Sequence, residues 1–221
     1  MFEVGLIRVI TLDDPKQLNM HGKVIEQLYP DIAVESACIP NQPEGIHSAE
    51  LCREAIPKIV ELACERFAHK DMILVSCADD PAVEEIKAAL PGMPVTGGGE
   101  CCVATALRYG QNIGVLGIID QAPKAYRRIL EGRLVGNYRP EGVHSTLDLQ
   151  TDQGYEACIE TARRMAADGC DVIALGCTGL ATVGIASELE QVSGLPVIDP
   201  VVAMGAFVAL EAARKTVRNT R

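Results

Sequence analysis

Asp71-Met-Ile-Leu-Val-Ser-Cys77 and Asp171-Val-Ile-Ala-Leu-Gly-Cys177 are near copies of one segment, 100 positions apart. Each begins with an aspartate, runs through apolar residues and closes on a cysteine. Short Val/Ile/Leu-rich runs without strict alternation read as strands buried on both faces of a parallel sheet. The likeness extends outward. Val4-Gly-Leu-Ile7 opens the first half of the chain and Ile113-Gly-Val-Leu116 opens the second. A long helical pattern precedes each cysteine strand, and each cysteine is followed by a helix, a Pro-Val strand (Pro94 or Pro196) and another helix. One apolar heptapeptide recurs easily by chance. The same order of elements around both copies does not.

Strands are expected near Glu3–Ile10, Ile32–Ile39, Met72–Ser76, Pro94–Thr96, Asn112–Ile118, Arg133–Tyr138, Val172–Gly176 and Pro196–Ile198. Helical patterns cover Lys16–Tyr29, Ser48–Ala68, Pro81–Leu90, Gly98–Tyr109, Pro123–Leu130, Asp152–Asp168, Val183–Val192 and Val201–Thr216. This alternation predicts an α/β fold with right-handed crossovers. The duplication predicts two similar lobes with parallel sheets and a cleft between them. The boundary is placed in the Thr96–Glu100 glycine cluster. The final helix is expected to return to the first lobe, which would comprise residues 1–97 and 200–221, leaving 98–199 for the second.

Bulk properties narrow the partners. The net charge of −10, with five Tyr, three Phe and no Trp, argues against nucleic acid, whose phosphates need a basic footprint and whose bases need stacking surfaces. No apolar run reaches the roughly 18 residues of a membrane span. The N-terminal MFEVGLIRVI lacks the basic flank and cleavage site of a signal peptide. Nine cysteines, an odd number in a chain of 221 residues, fit free thiols in a cytoplasmic protein. A small-molecule substrate is the expected partner.

Ligands of open α/β sheets sit beyond the carboxyl ends of strands. Cys77 and Cys177 both occupy such ends. Asp80 reads as an N-cap and Pro81 as a first helical residue, which would set the Cys77 thiol beside a helix N-terminus that favours thiolate. Thr178 and Gly179 supply a hydroxyl and a flexible backbone able to turn amides toward an anion. Both features would lower a thiol pKa from about 8.5 toward neutrality. A single cysteine ending an apolar strand is more often a small core hydrophobe. The repeat-related pairing reverses that preference here. The other seven cysteines (Cys38, Cys52, Cys64, Cys101, Cys102, Cys158 and Cys170) are read as packing residues. No CxxC occurs, and His21, His47, His69 and His144 lack ligand spacing, so no metal is expected. Gly97-Gly98-Gly99 lacks a nucleotide-binding pattern and reads as a close backbone approach. Two thiols facing across a cleft can remove a proton from one side of a carbon and return one to the other.

Three segments resemble one known family. Ser-Cys-Ala-Asp-Asp-Pro around Cys77 looks like the first cysteine motif of hydantoin racemases, Leu-Gly-Cys-Thr-Gly around Cys177 like their second, and Thr-Gly-Gly-Gly-Glu at 96–100 like the glycine-glutamate segment after their fourth strand. The resemblance covers nearly the whole chain with matching spacing. It implies the aspartate/glutamate/hydantoin racemase superfamily: two Rossmann-like lobes related by a pseudo-twofold, catalysis by paired cysteines without a cofactor, and a homo-oligomer, dimer or larger. The substrate wall is then expected to include Ser76, Ala78, Asp79, Thr178, Gly179, Gly98, Arg8 and Asp120.

Part of that wall departs from the family. Ile7-Arg8-Val9-Ile10 stands where an Asn-Pro segment is usual, and Ile119-Asp120-Gln121 where threonines are common. Arg8 in the cleft could clamp a carboxylate bidentately. Arg8 at the surface, or paired with Asp13 or Asp14, would be purely structural. A 5-substituted hydantoin or related ureide is the leading substrate class. Aspartate or glutamate racemisation, a maleate-isomerase-like reaction and a non-catalytic metabolite binder stay open. A decarboxylase relative, which relies on one cysteine, is disfavoured by the presence of both.

Overall fold

A computed structural model describes residues 1–220. Strands β1 (Phe2–Arg8), β2 (Ile32–Cys38), β3 (Met72–Ser76) and β4 (Val95–Gly97) form a parallel sheet in the order β2-β1-β3-β4. Their helices are α1 (Pro15–Leu28), α2 (Ala49–Arg66), α3 (Val83–Ala89) and α4 (Gly98–Ala106). The second sheet repeats the plan: β5 (Ile113–Leu116), β6 (Leu134–Tyr138), β7 (Val172–Leu175) and β8 (Val197–Ile198), again parallel, in the order β6-β5-β7-β8. Helices α5 (Lys124–Leu130), α6 (Asp152–Ala167), α7 (Thr178–Val183), α8 (Ala186–Ser193) and α9 (Pro200–Asn219) complete it. The two cysteine segments are the central strands β3 and β7, every residue of which is buried.

The helix starts follow from local chemistry. Asp14, Ser48, Thr151 and Asp199 each accept a hydrogen bond from an amide in the first turn of α1, α2, α6 and α9. Pro15 and Pro200 sit at first-turn positions, where the missing N–H costs nothing.

Three apolar clusters hold the layers. Ile7, Ile39, Ile59, Phe67 and Ile73 lie under α2 and α3 on the outer face of the first sheet. Leu116, Met165, Ile173, Leu175 and Leu189 lie under α6 and α8 on the outer face of the second. The third cluster joins the sheets: Leu6 and Leu74 of the first and Val115 and Ala174 of the second share a core with Cys102 of α4, Tyr126 of α5 and Met204 of α9. Helix α4 follows the first sheet yet packs against α5, β7 and β8, and α9 follows the second sheet yet packs against α1. Gly205 makes the latter crossing close, since a Cβ there would stand 3.0 Å from the Tyr29 ring.

Two local departures bear on the site. Helix α3 begins at Val83, two residues after the expected Pro81, because Asp80 and Ala82 adopt left-handed φ of 51° and 63°. Asp80 is thus no cap for α3. In addition the expected helix Val183–Val192 is split: Thr178–Val183 forms α7 with Cys177 at its N-cap and Gly184 at its end, and α8 starts afresh at Ala186. Among the described residues no helix is long and apolar enough to cross a membrane.

Candidate active site

The carboxyl ends of β1, β3 and β7 open into one cavity of about 370 Å³, lined by both Cys77 and Cys177. Each thiol-bearing residue is at least nine-tenths buried. Cys77 follows β3 directly and begins a tight turn in which the Asp80 amide donates to the Cys77 carbonyl at 3.4 Å. Cys177 follows β7 by one residue, and its Sγ accepts from the Gly179 amide at 3.3 Å as α7 begins. The expected pairing of the two repeat-related cysteines is therefore present in one chamber.

The turn after Cys77 is clamped from behind. Asp80 accepts from the Gly99 and Glu100 amides at 2.7 Å each, so it caps α4 and not α3. The three glycines are what allow this. A Cβ at Gly97 would collide with the Asp80 carboxylate, one at Gly99 with the Ala78 carbonyl, and one at Gly98 would crowd the Cys77 carbonyl at 3.2 Å. The close backbone approach read from the sequence is thus an approach of α4 to the cysteine turn.

A hydrogen-bonded chain spans the two lobes beside the thiols. His21 of α1, 1% exposed, meets the Ser76 hydroxyl through Nδ1 at 2.8 Å and the Thr182 hydroxyl through Nε2 at 2.9 Å. Thr182 Oγ1 donates to the Thr178 carbonyl and Thr178 Oγ1 to the Ser76 carbonyl. Burial and then the Arg8 charge hold His21 well below the usual imidazole range, so it is neutral at pH 7. One polarity satisfies every member: Ser76 donates to Nδ1, and the Nε2 hydrogen goes to Thr182. His21 and Thr182 carried no functional signal in the sequence. A histidine within a helical pattern is usually packing, and its partners lie 55 and 161 positions away.

The remaining expected residues divide. Ser76, Ala78, Asp79, Thr178, Gly179 and Arg8 line the thiol cavity. Gly98 does not; it lies behind the Cys77 turn, where its missing Cβ makes room for backbone. Asp120 does not either. Its side chain is 82% exposed and paired with Arg139 at 2.7 Å in an adjoining recess. An exposed carboxylate two residues beyond Ile118 finds a cation at the rim more readily than it enters an apolar chamber. Asp13 and Asp14 form no ion pair with Arg8 among the described residues: Asp14 caps α1, and Arg8 donates through Nη1 to the Gln17 and Leu18 carbonyls.

The electrostatics correct a second expectation. Burial pushes the Cys77 thiol well above its usual range, and the Asp79, Cys177 and Asp80 charges push the same way. Burial pushes Cys177 up to about 11 despite the Gly179 and Leu180 amides. The amide donors exist, but desolvation of the buried thiols outweighs them. A raised thiol pKa means the thiolate fraction keeps growing with pH beyond the point where free cysteine levels off. Alkylation of Cys177 by iodoacetamide, followed peptide by peptide, is accordingly expected to accelerate about tenfold per pH unit from roughly pH 7 to 10. A plateau near the free-cysteine value would contradict this.

The other thiols behave as packing groups. All nine are free. Cys102, fully buried, donates to the Ile198 carbonyl at 3.2 Å between the lobes. Among the described residues no group of His, Cys, Asp and Glu side chains could hold a metal ion.

The family model for Asp/Glu/Hydantoin racemase matches residues 20–207. A hydantoin racemase from Paenarthrobacter aurescens is 26% identical over 202 residues, covering 86% of this chain and 78% of its own. The crystal structure of an allantoin racemase from Pseudomonas fluorescens superposes with a TM-score of 0.81 at 19% identity, covering 97% of this chain and 92% of that one. Glutamate racemase from Aquifex pyrophilus gives a TM-score of 0.62 at 21% identity, covering 94% and 83%. With the family model matched across most of its length, and with the two-lobed α/β architecture those structures share, this chain belongs to the Asp/Glu/hydantoin racemase family of isomerases.

Proposed function

We propose that the protein is a cofactor-independent racemase that inverts a carbon α to a carbonyl through Cys77 and Cys177, acting on a 5-substituted hydantoin or related ureide. The observation that carries this is the placement of two repeat-related, buried thiols in one cavity, one from each lobe. One thiolate takes the α-proton. The electron pair of the C–H bond moves into the carbonyl as an enolate. The other thiol gives its proton to the opposite face of the carbon, and the two sulfurs end with exchanged protonation states. Because each must hold the opposite state from its partner, they titrate as a coupled pair.

The enolate needs donors already in position. Thr178 Oγ1, once turned from the Ser76 carbonyl to which it donates at 3.3 Å, is the side-chain candidate; the Ser76 hydroxyl is committed to His21 and the Gly179 amide to Cys177 Sγ. A cavity of about 370 Å³ suits a small ring. A cyclic amide is a stronger carbon acid than a free amino acid, which fits a site with no electron-sink cofactor. The hydantoin racemase relative points to the same substrate class. In this reading residues 1–97 and 200–221 form the lobe that carries Cys77, and 98–199 the lobe that carries Cys177. The crossed packing of α4 and α9 supports that division.

The test is proton exchange. Single enantiomers of 5-substituted hydantoins and of allantoin, incubated with the protein in D2O, are expected to lose the α-proton NMR signal and optical activity together. Retention of both across the panel would reject the proposal.

A further inference from the structure

We infer that the substrate carries a carboxylate, and that Arg8 is the residue that receives it. This rests on the proposed racemase reading for where the ligand sits, but on its own observations for what the ligand is.

Arg8 ends β1 and lines the thiol cavity, yet it is only 6% exposed. Burial lowers its pKa to about 10, which leaves it charged at neutral pH. A buried charge is costly unless paired. No carboxylate pairs with this one among the described residues. Among the described residues its hydrogen bonds leave Nη1 alone, toward the Gln17 and Leu18 carbonyls at 2.7 and 3.3 Å. Among the described residues Nε and Nη2 have no protein acceptor, and neither is sealed from solvent. These donors therefore open to the cavity.

A purely structural role does not account for this. Tethering α1 to β1 through two helix carbonyls needs one donor group and no net charge. His21 is kept neutral partly by Arg8, so it offers no counter-charge; the other titratable group that acts on Arg8 is the Cys38 thiol, its partner across β1 and β2. Asp79 is the one acidic residue lining the cavity, and it is engaged by Lys124, whose amide donates to Oδ1 at 3.0 Å. The cavity thus holds one cation with free donors and one anion already in use. In a chain of net charge −10, an anionic ligand gains nothing from the overall field and requires such a local partner. A planar fork of free N–H groups matches a carboxylate in two-point geometry.

The experiment is equilibrium binding by calorimetry, which does not depend on turnover. The probes are hydantoin-5-acetate, succinate and glutarate, each against its uncharged amide. Wild type is expected to bind at least one acid about 30-fold or more tighter than its amide, and Arg8→Gln to erase that difference. Arg8→Lys, which keeps the charge, should retain part of it and guards against misreading a folding defect. Equal binding of every acid and its amide, no binding of any acid, or an unchanged preference in folded Arg8→Gln would overturn the inference. Tight, Arg8-dependent binding of an acid, with no proton exchange in hydantoin-5-acetate or across the hydantoin and allantoin panel, would leave the carboxylate site standing and remove the racemase reading.

Discussion

Cys177→Ser is expected to lower racemisation by about three orders of magnitude or more while leaving the fold intact, since one positioned acid-base group contributes typically ~10²–10⁴. The substitution separates chemistry from structure cleanly. Cys177 is the N-cap of α7, and its Sγ accepts the Gly179 amide. Serine is among the preferred N-caps, so the helix start keeps its acceptor and stability changes little. What is lost is a group able to shed a proton, because a serine hydroxyl is far less acidic than even a thiol raised to about 11. Cys77→Ser should do the same from the other lobe. In the proposed mechanism each sulfur is the base for one enantiomer and the acid for the other, so either change should stop inversion in both directions. Exchange need not stop equally. The remaining thiolate can still remove and return a proton on its own face, so each variant should exchange the α-proton of one enantiomer with retention, and the two variants should prefer opposite enantiomers. Stopped racemisation with mirror-image exchange is the signature to seek by D2O NMR and polarimetry. A variant that racemises at wild-type rate would remove its cysteine from the mechanism.

The sequence carried the repeat and hence the architecture, because buried central strands write themselves as apolar runs and a duplication writes each run twice. The strand β3 was readable to the residue, Met72–Ser76. What stayed hidden depends on contacts between distant segments. Helix α7 opens with Thr178 and Gly179 and carries Thr182, poor helix formers that leave no helical signal before Val183, and it forms by packing. Asp80 reads locally as a cap for the helix that follows it. Its true partners are the Gly99 and Glu100 amides, reachable only once β3 and β4 lie side by side. The direction of the thiol shifts was misread for the same reason. Local amides are visible in the sequence, whereas the burial that outweighs them belongs to the folded chain. Asp120 shows the converse error: its proximity in sequence to a strand end did not decide which side of the rim it faces.

A large structural effect is expected at Gly99. Placing α4 against the cysteine turn leaves no volume for a side chain there, because a Cβ would collide with the backbone carbonyl of Ala78 and meet the Asp80 carboxylate at 2.9 Å. Neither neighbour is a flexible side-chain end that can swing away. The carbonyl belongs to the turn that begins at Cys77, and the carboxylate is held by two amides of α4 itself. Relief requires α4 to move from the turn, which breaks the Asp80 cap and opens the core shared by both lobes around Cys101 and Cys102. Gly99→Ala should therefore cost about 3 kcal/mol, the upper end of overpacking, or a fall in Tm of roughly 6–12 °C for a chain of this size. Gly132→Ala is the matched control. Nothing lies within 4 Å of a Cβ there and its φ is unstrained, so its stability should stay within about 0.5 kcal/mol of wild type. Activity gives the second readout. The folded fraction of Gly99→Ala should turn over more slowly, because the displaced turn carries Cys77, while the same alkylation assay at Cys177 should be little altered. A Gly99→Ala protein with wild-type Tm would mean that the cysteine turn yields easily, and that the glycine cluster does not hold Cys77 in place.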